Sequence, residues 1–420
     1  MRPAKTARGP RRVLSQTGRQ ARHGWRRSDH RVQVTRNRWF LLSVFLLSSS
    51  INYLDRSALA ALAPLVRAEF RLSNAEYGFA VTAFSITYAA GAPAAGWLID
   101  RLGLARGITL VVSMWSLASA GVGLTSGFAG LLFCRALLGL AEAGGIPAAA
   151  KAIHAYLKPE ERALGNSLNQ GAISLGLMIA PPAATWIATI YGWRAAFLAT
   201  GILGLLWVVL WRAADPAIAL QPRASAGYGA MSVRRMWGLL TANALSMVLY
   251  SLWTNWTTLF LTGPARLSLG EAAWYAWIPP LLAALGGLAG GWLSYKWIRG
   301  GMETIAARTR VCFFASLAGL LTAAVPWLAG SAVWATAGIS LSIFSVAAFS
   351  VNLYSMPLDH FGGAAAAFSV SLLVSSYGAM QAIVSPLFGW AIDAYGYAPV
   401  CGIAALTPLA AYGVLRWTEV

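Results

Sequence analysis

Charge is what this sequence has least of. Only 11% of its 420 residues are Asp, Glu, Lys or Arg, against about a quarter in soluble domains. With 58% hydrophobic residues and 14 acidic ones, a soluble surface is excluded and a polytopic membrane protein is expected. Histidine and cysteine are scarce as well, at four and three. Cys134, Cys312 and Cys401 fall in separate apolar segments without ligand spacing and read as small core residues. His154, beside Lys151 and Lys158, and His360, beside Asp359, read as solvated loop residues. No metal-ligand spacing, nucleophile elbow, Walker loop or nucleic-acid motif occurs. An enzymatic reading therefore has no site, and neither a cofactor nor a metal is expected.

What is abundant is basic charge, apolar run and glycine. The net charge of +18 does not imply a nucleic-acid partner, because 12 of the 32 basic residues lie in the first 38 positions, against the single acid Asp29. Residues 1–38 lack apolar periodicity and are expected to be a disordered cytoplasmic tail. They read as a tail held by anionic headgroups of the bilayer, as a targeting segment, or as an over-long start. No short apolar run ending in a small-residue cleavage site follows, so a cleaved signal peptide is not expected.

A span needs about 20 apolar residues. On that measure there are twelve: 39–65, 74–99, 107–127, 129–152, 163–189, 194–212, 236–262, 271–295, 308–328, 331–356, 363–391 and 397–416. The longest polar interruption divides them into a bundle at 39–212, a linker at 213–235 and a bundle at 236–420. Lys and Arg collect in the leader, the linker and alternate loops, so both termini are expected on the cytoplasmic side; the membrane expected is a bacterial-type inner membrane. Two stretches recur about half a chain apart. Gly96–Arg101 (GWLIDR) returns as Gly291–Lys296 (GWLSYK), and Pro182–Gly192 as Pro386–Gly396, each at the end of corresponding spans. Two matches in register point to a duplicated architecture.

Against this apolar background, Leu131–Ala150 carries Arg135 and Glu142 on one helical face. The other deep charges are Asp55 and Arg56 in SINYLDRSALAALAP. Charges at membrane depth are expensive and normally face a bundle interior, so the four are expected to form one charged core. Asp55 and Arg56 diverge by about 100° around their helix, so one is expected to face the substrate path and the other span 4. Fully ionised, the set sums to zero. Protonating one carboxylate leaves +1 and both leaves +2, which raises affinity for an anion, and linkage makes the anion favour proton uptake equally. A static salt-bridge clamp is the competing account.

GWLIDRLGLARG resembles the loop 2–3 signature of the major facilitator superfamily, which implies gating by Gly96, Asp100, Arg101 and Arg106; Ala105 stands where a basic residue is usual. NYLDR, the Arg135–Glu142 helix running into GGIPAAAKA, KPEERALGNS, APP followed by YGWRAAF, and IPPLLAALGGLAGGWLS are similar to the anion:cation symporter family near its hexuronate branch. The resemblance covers most of 39–420, and Gly145-Ile146-Pro147 departs from that branch. It implies a twelve-helix, all-α membrane protein of two pseudo-symmetric bundles, working as a monomer. It also implies that Arg56 and Tyr88 hold a substrate carboxylate, with Tyr53 beside them, that Asp55 and Glu142 carry protons, and that Arg135 pairs with Asp55 and tunes it.

The second half has no comparably deep charge, so neutral groups are its candidates. Asn255, Trp256, Asn352 and Gln381 lead, with Tyr250, Trp253, Tyr354, Ser375, Ser376 and Tyr377 behind, while Gln170 and Ser174 share a face of span 5. Each has a plain packing or interfacial alternative. The function expected is proton-coupled import of a small organic anion, a hexuronate or aldonate first and an aromatic or dicarboxylic acid second. A drug/proton antiporter fits less well, because two arginines match the two acids, and a transport-dead sensor less well again.

Overall fold

The computed structural model describes residues 38–158, 161–214 and 232–419. The tail expected over 1–38, apart from Arg38, and positions 215–231 of the expected linker lie outside the described residues. Where described, the regular structure is helical. The first half contains α1 (Arg38–Phe70), α2 (Asn74–Gly123), α3 (Phe128–Glu142), α4 (Gly145–Tyr156), α5 (Arg162–Tyr191) and α6 (Trp193–Ala213). The second contains α7 (Val233–Thr262), α8 (Leu269–Ala276), α9 (Ile278–Arg299), α10 (Thr304–Gly319) with a 3-10 continuation (Leu320–Leu328), α11 (Ala332–Leu353), α12 (Met356–Tyr395) and α13 (Tyr397–Glu419). Helices suit these apolar stretches because a backbone in lipid must satisfy its own hydrogen bonds. Among the described residues, nine helical segments are long and apolar enough to cross a membrane. α1, the first part of α2 and α7 are not among them, and α1 and α7 carry Asn52, Asp55, Arg56, Asn243 and Asn255.

The helix starts are written locally. Ser73 and Glu76 form a capping box at the head of α2, and Ser268 and Glu271 form another at α8. α2 continues through the loop expected at 100–106 and breaks its geometry only at Gly103 (φ 76°). The continuous span expected at 129–152 is instead two helices meeting at Ala143-Gly144, immediately past Glu142. Pro147 offers no N–H to the carbonyl of Ala143, and two glycines precede it, which accounts for the break. Span 8 is interrupted in the same manner at Trp277, ahead of Pro279 and Pro280.

The two halves repeat their packing. α1 against α5 is matched by α7 against α12, and α2 against α3 by α9 against α11. Across the halves, α2 meets α12, α1 meets α7, and α5 meets α8. The apolar core is not evenly shared. Toward the end where α1 and α7 finish, one cluster runs through both halves, from Leu62, Tyr77 and Phe197 to Trp256, Phe260 and Ile339. Toward the other end it divides into one cluster around Trp115 and Trp207 and another around Phe349 and Leu415.

Candidate functional site: a buried ion pair between the halves

The four deep charges do not pair as expected. Arg56 Nε donates to Glu142 Oε2 at 2.9 Å, so this side chain of α1 reaches the end of α3, at the break in span 4. The Glu142 side chain is fully buried, whereas that of Arg56 keeps 20% of its surface open. The guanidinium stands over three rings, at 4.9 Å from Tyr53, 4.8 Å from Phe84 and 4.5 Å from Tyr88. Such rings stabilise a cation while leaving its N–H groups free to find an acceptor.

Asp55 turns the other way. Ser119 and Thr200 both donate to its Oδ1, Thr200 at 2.9 Å, and the second oxygen has no partner. Asp55 therefore faces α2 and α6, not span 4. The expected Arg135–Asp55 pair is corrected on the same geometry. The Arg135 guanidinium sits 4.6 Å from the Phe84 ring, and its Nε and one terminal nitrogen make no hydrogen bond. It acts on Asp55 and Glu142 only through space. The reason is angular: Asp55 and Arg56 diverge around α1, and Arg56 takes the side facing span 4.

A small cavity of about 20 Å³ lies beside this ion pair. Tyr53, Tyr88 and Glu142 line it, together with Asn52, Asn169 and the Gly145-Ile146 run of the helix break. The amide nitrogen of Asn52 is buried without a partner. Glu142 Oε1 is in the same condition.

A family model described as Major Facilitator Superfamily matches residues 45–371. The chain belongs to the Major Facilitator Superfamily. Among curated relatives of this superfamily member, the galacturonate transporter of Dickeya chrysanthemi is 29% identical over 280 residues, covering 61% of this chain and 81% of that one. The hexuronate transporter of Escherichia coli (strain K12) is 25% identical over 408 residues, 91% of this chain and 93% of its own. A bacterial homologue of the human lysosomal transporter Spinster, solved in an inward-facing and occupied conformation, superposes with a TM-score of 0.70 at 20% identity. It covers 91% of this chain and 95% of that one, and supports the fold alone.

The remaining candidates of this facilitator scatter. Gln170 is exposed on α5, and its neighbour Asn169 lines the cavity instead, accepting from Ser49 at 2.8 Å. Ser174, one turn further along α5, is buried but does not line the cavity, whereas Ile173 beside it does. The Asn255 amide donates to Ser251 O on its own helix, and the backbone carbonyl of Asn255 accepts from the Tyr77 hydroxyl. Trp256 is sealed between Tyr77 and Phe388. Asn352 is buried against α9, donating to Gly290 O at 3.2 Å. Gln381 accepts from Ser85 and donates to Ser251, tying α12 to α2 and α7. These four thus act as packing or interhelical contacts in this conformation.

Of the gating residues, Gly96 lies near Pro147, Arg101 stacks on Trp97 at 4.6 Å, and Arg106 is exposed. The side chain of Asp100 lies outside the described residues. Lys151 on α4 donates to Ile99 O, joining span 4 to this signature.

Sequence reasoning missed the opposite end. The carboxylate of Asp393 on α12 accepts from the backbone N–H groups of Asn74 and Ala75 at 3.2 and 3.1 Å, and from the Asn74 amide at 2.7 Å. A carboxylate at the first turn of α2 meets both free N–H groups and the positive end of the helix dipole. Asp393 belongs to the repeated WAIDAYG stretch, which was the available signal. Close by, Glu69 accepts from the Trp193 indole and from Arg194 at 2.5 Å, which holds its carboxyl below the ordinary range. Phe84, Ser119 and Thr200 carried no signal of their own, since isolated aromatics and hydroxyls are common in spans.

Proposed function

We propose that this facilitator is a proton-coupled symporter that imports a sugar acid, a hexuronate or aldonate, across a bacterial inner membrane by alternating access. The observation that carries the reading is the Arg56–Glu142 pair: a fully buried carboxylate on a cation that is itself partly open and ringed by tyrosines. Relatives named for galacturonate and hexuronate support the substrate class.

The pair makes substrate and proton interdependent. With Glu142 ionised, the Arg56 Nε is occupied and a substrate carboxylate must compete with a buried charge. A proton on Glu142 removes the charge-assisted bond, leaves Arg56 as an unmatched cation, and favours an incoming carboxylate. Release reverses the order. When the anion leaves, Arg56 again attracts the carboxylate form of Glu142 and the proton follows. Asp55, bonded to two hydroxyls away from Arg56, is a second proton acceptor whose charge adds to the same balance. Arg56 is only partly buried, whereas Arg135 and Asp55 are buried, so of these charges Arg56 is the one a substrate can reach.

We take this conformation to be closed outward. The shared apolar cluster and the Asp393 clasp hold α12 on α2 at the end that the basic-residue bias assigns to the outside. In this reading twelve spans form two six-helix bundles with both termini cytoplasmic. The test is uptake of radiolabelled D-galacturonate by proteoliposomes with and without an inward proton gradient. Gradient-dependent accumulation is expected, and expulsion of a lipophilic cation with no acid accumulated would refute symport.

A further inference from the structure

A second cavity, of about 60 Å³, lies between the halves one helical step outward of Arg56. Its wall begins at Ser57, next in sequence to Arg56, and includes Tyr250, whose phenol is within electrostatic reach of that guanidinium and lies 6.1 Å from the ring of Tyr377. The space corresponds to several waters. Nothing in the ion-pair account uses it.

The chemistry of the wall is specific. No charged side chain lines it among the described residues. Trp253 is 1% exposed, and its indole N–H has no partner. Ser57, Tyr250 and Thr254 add hydroxyls, each able to donate and accept. Two proline pairs supply acceptors: Pro181 and Pro280, both on the wall, have no N–H for the carbonyls of Leu177 and Ala276 four residues earlier, which also line it. A buried indole N–H without a partner is costly; those of Trp115 and Trp256 are in the same condition, but of the three only Trp253 lines this cavity, where a ligand can supply the acceptor.

We infer that this uncharged, donor- and acceptor-lined cavity seats the hydroxylated carbon chain of an anion whose single carboxylate is held at Arg56. The inference rests on the sugar-acid reading and adds where the hydroxyl groups bind and why a second carboxylate is refused. Hydroxyl groups can satisfy the indole N–H and the freed carbonyls together, as neither an alkyl chain nor a ring face can. A second carboxylate at the far end would be buried with no cation beside it, which is strongly unfavourable. The protein therefore selects monocarboxylic polyhydroxy acids over dicarboxylic sugar acids of the same length.

Calorimetric titration of the purified full-length chain with D-galacturonate, galactarate and valerate tests this. Galacturonate is expected to bind, with galactarate about a hundredfold weaker. Trp253→Phe, which keeps the ring packed on Phe260, and Ser57→Ala are each expected to weaken galacturonate about tenfold and to leave valerate within twofold. The valerate control separates loss of the donor from loss of folding. If wild type binds galacturonate but galactarate binds as tightly, or both variants keep wild-type affinity, the inference is overturned while the transport reading stands. If no sugar acid binds wild type, both fall.

Discussion

Replacing Glu142 by glutamine separates coupling from transport. The amide keeps the volume of the buried side chain and a carbonyl oxygen for Arg56 Nε, now 2.9 Å from the carboxylate, but it can neither carry the negative charge nor take up a proton. Two unit charges about 4 Å apart interact by about 4 kcal/mol at an effective dielectric of about 20. Desolvation offsets part of this, and hydrogen bonds to charged groups net about 1.5–3 kcal/mol. Galacturonate should therefore bind Glu142→Gln about ten- to a hundredfold more tightly than wild type at alkaline pH, where wild-type Glu142 is ionised and competes, and about equally at acid pH. Coupling responds differently. One proton per monoanion permits about tenfold accumulation per pH unit, equal to about 1.4 kcal/mol. Glu142→Gln should lose this gain while retaining exchange of labelled for unlabelled substrate in proteoliposomes. Accumulation by the variant at the wild-type ratio would refute the assignment. Loss of exchange together with accumulation, in a protein of unchanged thermal stability, would refute the competition between carboxylates and favour a static clamp.

Arg56→Lys should lower uptake at least a hundredfold with an unchanged circular dichroism spectrum, because an ammonium cannot present the planar fork that now faces both Glu142 and three rings. Phe84→Leu removes the ring that both arginines share, and should weaken galacturonate binding several-fold in the same titration. Asp393→Asn removes the charge of an exposed cap across the halves, about 0.3–1 kcal/mol, and should shift the population toward an outward opening. In a background lacking the native cysteines, a thiol at Thr82, whose hydroxyl now donates to Ala382 O, should then react faster with an impermeant maleimide. An unchanged rate would show that the clasp does not hold the outer end shut.

Much of the fold could be read along the chain. Apolar runs, capping boxes at Ser73 and Ser268, and the duplicated GWLIDR and Pro182–Gly192 stretches are local patterns. The break after Glu142 was also written locally, in Gly144, Gly145 and Pro147, but a run of small apolar residues read as continuous helix hid it. At the site, Arg56 and Glu142 were legible because charge at membrane depth is conspicuous, whereas Tyr53 and Tyr88 stood out only through the family resemblance, an isolated aromatic being common in spans. Asn169 was displaced by one position onto Gln170, since a face shared at helical spacing does not say which face meets the cavity.

By itself, then, the sequence determined that four charges lie deep in the first half, and that no charge of the second half matches them. Only the tertiary structure decided their partners. Asp55 and Arg56 are adjacent, yet one bonds Ser119 and Thr200 while the other bonds Glu142. That choice depends on how α1 is rotated among α2, α3, α5 and α6, and rotation is set by packing between residues far apart in the chain. The same is true of Trp253. Its indole reads as an ordinary buried aromatic until five other helices close a cavity beside it.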